Sequence, residues 1–174
     1  MPIFYYDKKI KDLELNSKFS EIIDYLETLF IKEDDVHKLA SLIVYSWYFF
    51  IEGGFLLSDN NFDDEFYISK WSFYLNYGEK KYSNVPEILF ISGYTLGLHW
   101  FFLDSKYNKK TGIELMKHCY EISSDLSMKK LSNYFIHNDL KSKKNIVLEQ
   151  ASEICNELFP SDSMIDRYFR SVLI

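Results

Sequence analysis

Glycine, proline and cysteine are scarce in this chain. Six Gly and three Pro among 174 residues leave too few turn formers for a β-sandwich or barrel, whose strands end in Gly- and Pro-rich turns. The two cysteines, Cys119 and Cys155, stand far apart and form no CxxC pair. That spacing argues against a disulfide framework and points to free thiols in a reducing cytosol. No apolar run makes a membrane span. Leu42 to Ile51 is too short for about 30 Å of hydrocarbon. Ile88 to Leu103 is interrupted by Ser92, Gly93, Gly97 and His99. Buried core helices are the expectation for both. The start, Met1-Pro2-Ile3-Phe4-Tyr5-Tyr6-Asp7, lacks the basic residues and cleavage site of a secretory signal. The chain therefore reads as cytoplasmic, with no membrane partner.

What is present is apolar and aromatic. The apolar share is 47%, and Phe, Tyr and Trp alone make up 18%. That is ample for a packed core, and the length favours a single domain, residues 1–174. Charge is uneven. Residues 1–87 hold 9 Lys against 16 Asp or Glu, whereas residues 88–174 hold 11 Lys or Arg against 10 Asp or Glu. An acidic half disfavours nucleic acid, because phosphate neutralisation needs clustered Lys and Arg. It suits a basic protein partner, and it equally suits plain solubility.

The apolar period is helical almost throughout. The residues to about Leu15 have no clear period. Asn16 and Ser17 are N-cap types, and Phe19, Ile22, Ile23, Leu26, Leu29 and Phe30 then mark an amphipathic helix over 17–31. Glu33, Asp34 and Asp35 fit the first turn of a second helix, stabilised by its dipole. That helix is apolar nearly all round from Val36 to Ile51 and should end at Gly53-Gly54. After a loop over 55–63, Asp63 or Asp64 can cap a third helix to about Tyr77, closed by Gly78. Pro86 starts a fourth, to about Phe102. Thr111 caps a fifth (112–123), a sixth covers 125–136, a basic connector Lys141–Lys144 leads to a seventh around Val147–Leu158, and Ser161 caps the last. The fold class is all-α: about eight helices in an antiparallel helical-hairpin array or irregular bundle. No fixed repeat of a solenoid survives alignment.

Chemistry is hard to find in this pattern. Asp59, Asn61 and Asp63 open like a calcium loop, but the sixth position is Asp64 instead of Gly and the twelfth is Lys70 instead of Glu. The coordination shell does not close. His37, His99, His118 and His137 include no HxxxH or HExxH pair. His118 and Cys119 are helix neighbours about 100° apart, a poor geometry for a thiolate–imidazolium pair. No phosphate loop is present. Gly93 and Gly97 share a helix face, which suits close helix packing. The expectation is no metal, no cofactor, no catalytic residue and no enzyme activity. An enzyme with a buried site near His99 and Gly93 would need a deep pocket there with carboxylates nearby.

The aromatics are distinctive. Core packing accounts for most of them, yet 14 Tyr exceed what a core needs. Exposed Tyr beside acidic residues is a common composition for a protein-binding face; some could instead serve a dimer interface. The candidate face is Glu33, Asp34, Asp35, Asp59, Asp63, Asp64, Glu65, Tyr67, Tyr74 and Tyr77.

One stretch carries a resemblance. Phe90-Ile91-Ser92-Gly93-Tyr94-Thr95-Leu96-Gly97-Leu98-His99-Trp100-Phe101-Phe102-Leu103-Asp104, followed by Gly112-Ile113-Glu114-Leu115-Met116-Lys117, resembles small helical immunity proteins of bacterial polymorphic toxin systems, including contact-dependent growth inhibition. It covers roughly residues 86–120, with a weaker echo around Val44–Gly53. The resemblance implies an acidic, cytosolic, non-enzymatic protein that binds and blocks one cognate toxin domain, frequently a nuclease. It implies no particular binding residues. The alternative expectation is a helical-repeat-like adaptor that docks a peptide or protein between hairpins, without catalysis.

Overall fold

The computed structural model describes residues 1–56, 63–103, 105–137, 148 and 150–174. Among these the chain is all-α, with nine α-helices and no strand. They are α1 (Lys8–Leu15), α2 (Phe19–Glu33), α3 (Val36–Leu56), α4 (Asp64–Lys81), α5 (Pro86–His99), α6 (Lys109–Ile122), α7 (Leu126–His137), α8 (Ala151–Leu158) and α9 (Met164–Leu173). A 3-10 turn, Trp100–Phe102, continues α5. The extra helix beyond the eight expected is α1, whose short length hides its period. Asp7 caps it by accepting the Ile10 N–H at 2.9 Å, and only Ile10 and Leu13 are buried along it.

Several helix ends fall elsewhere than their local chemistry suggests. Gly53 does not stop α3, which continues to Leu56. Gly78 lies inside α4, facing Ile88 of α5, and the helix runs on to Lys81. Packing overrides glycine's modest helix penalty of about 1 kcal/mol. Asp63 caps α4, accepting the Phe66 N–H at 2.9 Å. Pro86 occupies the first turn of α5. The cap of α6 is Asn108, with Thr111 returning the capping-box bond. Ser163, not Ser161, caps α9. Asn16 and Ser17 do not cap α2; its N-cap is Lys18, with no side-chain bond.

Helix α3 is the central element. Leu39, Ala40, Leu42, Ile43, Val44, Tyr45, Trp47 and Phe49 are all buried along it, and it packs on α2, α4, α5 and α9. Each of the large aliphatic or aromatic side chains among them contributes about 1.5–3 kcal/mol when fully removed from water. Helix α5 is buried from Ile88 to Leu96, and its closest neighbour is α6. There the two backbones touch. A Cβ added at Gly112 would lie 2.5 Å from the Gly97 nitrogen and 2.8 Å from the Gly93 oxygen. One added at Gly97 would meet nothing within 4 Å. The close approach therefore depends on Gly112 and Gly93, while Gly97 contributes bare backbone for Gly112 to rest on.

The two ends of the chain meet. The Ile3 N–H donates to the Leu158 oxygen at 3.1 Å. Phe4 packs on Phe159 and Phe169. The Glu14 carboxylate accepts the Met164 N–H at 3.0 Å and the Tyr45 hydroxyl at 2.7 Å. Asp166, also buried, accepts the Ser161 N–H at 2.7 Å. The helices thus close into an irregular bundle. Among the described residues, no helix is long and apolar enough to cross a membrane.

Candidate protein-binding face

The histidines and cysteines are tied into packing. The Trp47 indole N–H donates to His99 Nδ1 at 3.1 Å, and burial lowers the His99 pKa. His118 Nε2 bonds Asn84 at 2.9 Å, turned to a different partner from that of its neighbour Cys119. The Cys119 thiol donates to the Pro86 oxygen at 3.3 Å, and burial pushes its pKa up to about 11. Cys155 is likewise a buried free thiol. Among the described residues, no group of three or more His, Cys, Asp and Glu side chains is placed to hold a metal ion.

The expected partner residues divide into three sets. Tyr67 and Tyr74 are core, only 4% and 6% exposed, and this corrects their assignment to an open surface. On α4 they share the inward face with Trp71 and Leu75. Tyrosine pays little for this when its hydroxyl finds an acceptor: Tyr74 donates to Glu27 at 2.5 Å. Burial pushes the Tyr67 phenol up to about 12. Asp63, Asp64 and Glu65 are exposed at the start of α4. Glu33, Asp34 and Asp35 gather with Tyr77 at the other end. Thirteen residues of helix separate Asp64 from Tyr77, about 20 Å at 1.5 Å per residue. Asp59 lies outside the described residues, as do Asn61 of the calcium-like run and the basic connector Lys141–Lys144.

Glu33, Asp34 and Asp35 do not form one helical turn. Glu33 ends α2 and pairs with Lys38. Asp35 accepts the Lys38 N–H at 3.0 Å at the start of α3. Between them Asp34 takes the left-handed conformation, φ 45° and ψ 50°, and its N–H closes α2 on the Phe30 oxygen. A residue with a Cβ pays roughly 1–2 kcal/mol for that conformation, although aspartate tolerates it better than most. Its carboxylate is held by Lys81, by the Tyr82 hydroxyl at 2.9 Å and by the Tyr77 hydroxyl at 3.3 Å. The Lys81 hydrogen bond, then that of Tyr82, keeps its carboxyl below the usual carboxylate range. Asp34 thus ties the end of α2 to the end of α4.

Between these two parallel helices runs an open cleft of about 770 Å³. Its α2 wall is Glu27, Phe30, Ile31 and Asp34, and its α4 wall is Ser69, Lys70, Phe73, Tyr74 and Tyr77. Both stripes follow i, i+3/i+4, i+7 spacing and cover two turns. Glu27 pairs with Lys70 across it. Ile31 is 82% exposed and Phe73 60% exposed, two large apolar side chains standing in water at the lip. Neither was among the expected residues. A signal existed: both fall out of phase with the buried positions of their helices, 26 and 30 in α2 and 71, 74 and 75 in α4.

No family model, curated protein or solved structure matches the chain.

Proposed function

We propose that this chain is a non-catalytic immunity protein, which binds and neutralises a cognate toxin domain through the α2–α4 face. The observation that carries this reading is the charge of the segments that form α2 and α4, where Asp24, Asp35, Asp63, Asp64 and Glu65 stand outside the ion pairs found among the described residues. Residues 18–35 and 63–82 together hold ten carboxylates against five lysines, close to the whole net charge of −6. A nuclease domain presents a basic surface to its phosphate substrate. An inhibitor of opposite sign gains association rate and excludes wrong partners. The resemblance of residues 86–120 to immunity proteins supports the same reading, and those residues build core helices α5 and α6 behind the face.

The test is to co-express the chain with the protein domain encoded immediately upstream of it, and to measure survival and co-purification. Rescue of growth with a stoichiometric complex is the expected result. A toxic domain that kills equally with and without the chain, and does not bind it, overturns the reading. A second reading, a non-catalytic adaptor, is favoured by the α2–α4 cleft, which is shaped to take a peptide segment.

A further inference from the structure

We infer that the α2–α4 cleft is a docking groove for one kind of partner element, a cationic amphipathic helix, with Ile31 and Phe73 as its apolar anchors. The inference rests on the inhibitor reading for the identity of the partner, and it adds the chemistry of the contact.

Three features select that occupant. The first is the lip. A large apolar side chain in water is unremarkable singly, but Ile31 and Phe73 line the same cleft from opposite helices. The floor between them, Phe30 and Tyr74, is already apolar and aromatic. The second is polar saturation. Glu27 is engaged by Lys70 and the Tyr74 hydroxyl, and Asp34 by Lys81, Tyr77 and Tyr82. The walls are helices whose backbone groups bond within themselves, so no strand edge is offered. An extended peptide would bury its N–H and C=O groups there without partners, whereas a helix satisfies its own. The two-turn stripes, about 10 Å long, match two turns of such a helix. The third is the rim. Exposed Asp24 of α2 and Asp63 at the cap of α4 both act on the Tyr67 phenol, so with exposed Asp64 and Glu65 they gather carboxylates at the end of the cleft where α4 begins. A helix with an apolar stripe and Lys or Arg toward one end meets all three features.

Two synthetic 14-residue peptides provide the probe. One is Lys- and Arg-rich with Leu at i, i+3, i+4 and i+7. The other keeps every charge and replaces each Leu by Ser. Each is titrated into the ¹⁵N-labelled full chain and into the double variant Ile31→Ser, Phe73→Ser. The Leu peptide should perturb amides of Phe30 to Asp34 and Ser69 to Tyr77. Its affinity should exceed that of the Ser peptide by about tenfold or more, the loss expected for a well-packed apolar anchor. The double variant should lose the same factor. Both substituted side chains are exposed, so its melting temperature should match that of the wild type, which confirms an intact fold. Equal binding of the two peptides, or perturbations confined to other helices, overturns the inference. A parallel pull-down with the domain encoded immediately upstream, as the candidate toxin, separates the two readings. If the Leu peptide occupies the cleft but the toxin is not held, the groove stands and the inhibitor reading fails. If the toxin is held equally by the wild type and the double variant, the groove fails and the inhibitor reading stands.

Discussion

The α5–α6 seam and the α2–α4 face are built on opposite principles. At the seam the backbones touch, and the position of Gly112 has no room for even a methyl group. At the face two helices stand apart, and a Phe and an Ile project into water between them. The seam's residues are constrained by one another. Those at the lip of the face are constrained by little inside the molecule.

The sharpest way to break this contrast is at Gly112. Gly112→Ala should destabilise the fold by about 3 kcal/mol, since the new Cβ meets rigid backbone instead of a side chain that can move. Urea unfolding of the variant reads this directly. A loss below about 1 kcal/mol would mean that the helices separate easily, and the contrast would fail.

Next in size is Glu14, which joins α1 to α3 and α9. Glu14→Ala leaves the Tyr45 hydroxyl and the Met164 N–H without their acceptor, at a cost of about 2–3 kcal/mol. This site also has a pH signature. Burial raises the Glu14 pKa above its ordinary 4.5, despite the opposing hydrogen bonds. Burial likewise raises Asp166 above 3.8. The folded state therefore binds these protons more tightly than the unfolded state. Their stabilisation is complete below the ordinary values and is lost as pH rises through the folded pKa values. In Glu14→Gln the dependence of the urea midpoint on pH above 4.5 should flatten. An unchanged slope would remove Glu14 from the account. Asp34 works the other way: its lowered pKa makes its contribution present above 3.8 and lost as acid protonates it.

A gain is expected at Gly97. With nothing within 4 Å of an added Cβ, Gly97→Ala should stabilise α5 by about 0.5–1 kcal/mol through helix propensity. Opposite signs at Gly97 and Gly112 in the same denaturation series would sharpen the assignment of the seam to Gly112. The smallest stability change belongs to the face: Ile31→Ser and Phe73→Ser should each alter stability by about 0.5 kcal/mol or less. Partner affinity is where they should register.

Much of the helical order was legible in the chain. The three- and four-residue spacing of Phe19 to Phe30 marked α2, the all-round apolar run from Val36 marked α3 as central, and Asp63 and Pro86 announced the starts of α4 and α5. Local capping chemistry and hydrophobic period carry that information without help from distant residues. The candidate face was only partly legible. Asp34 and Tyr77 do come together there. Tyr67 and Tyr74, equally tyrosine and equally close to carboxylates in sequence, went into the core, because the face of α4 that bears them is the one turned inward. A tyrosine is apolar enough for burial and polar enough for water, so its type does not decide between them.

By itself, then, the sequence determined the class of the fold, the order of most helices and the acidity of the first half. Only the tertiary structure decided the left-handed turn at Asp34, the backbone contact of Gly112 with Gly97, the meeting of the chain's ends, and the cleft with Ile31 and Phe73 at its lip. The physical reason is range. Periodicity and caps act over one or two helical turns, whereas burial depends on which helix, tens of residues away, arrives to cover a given side.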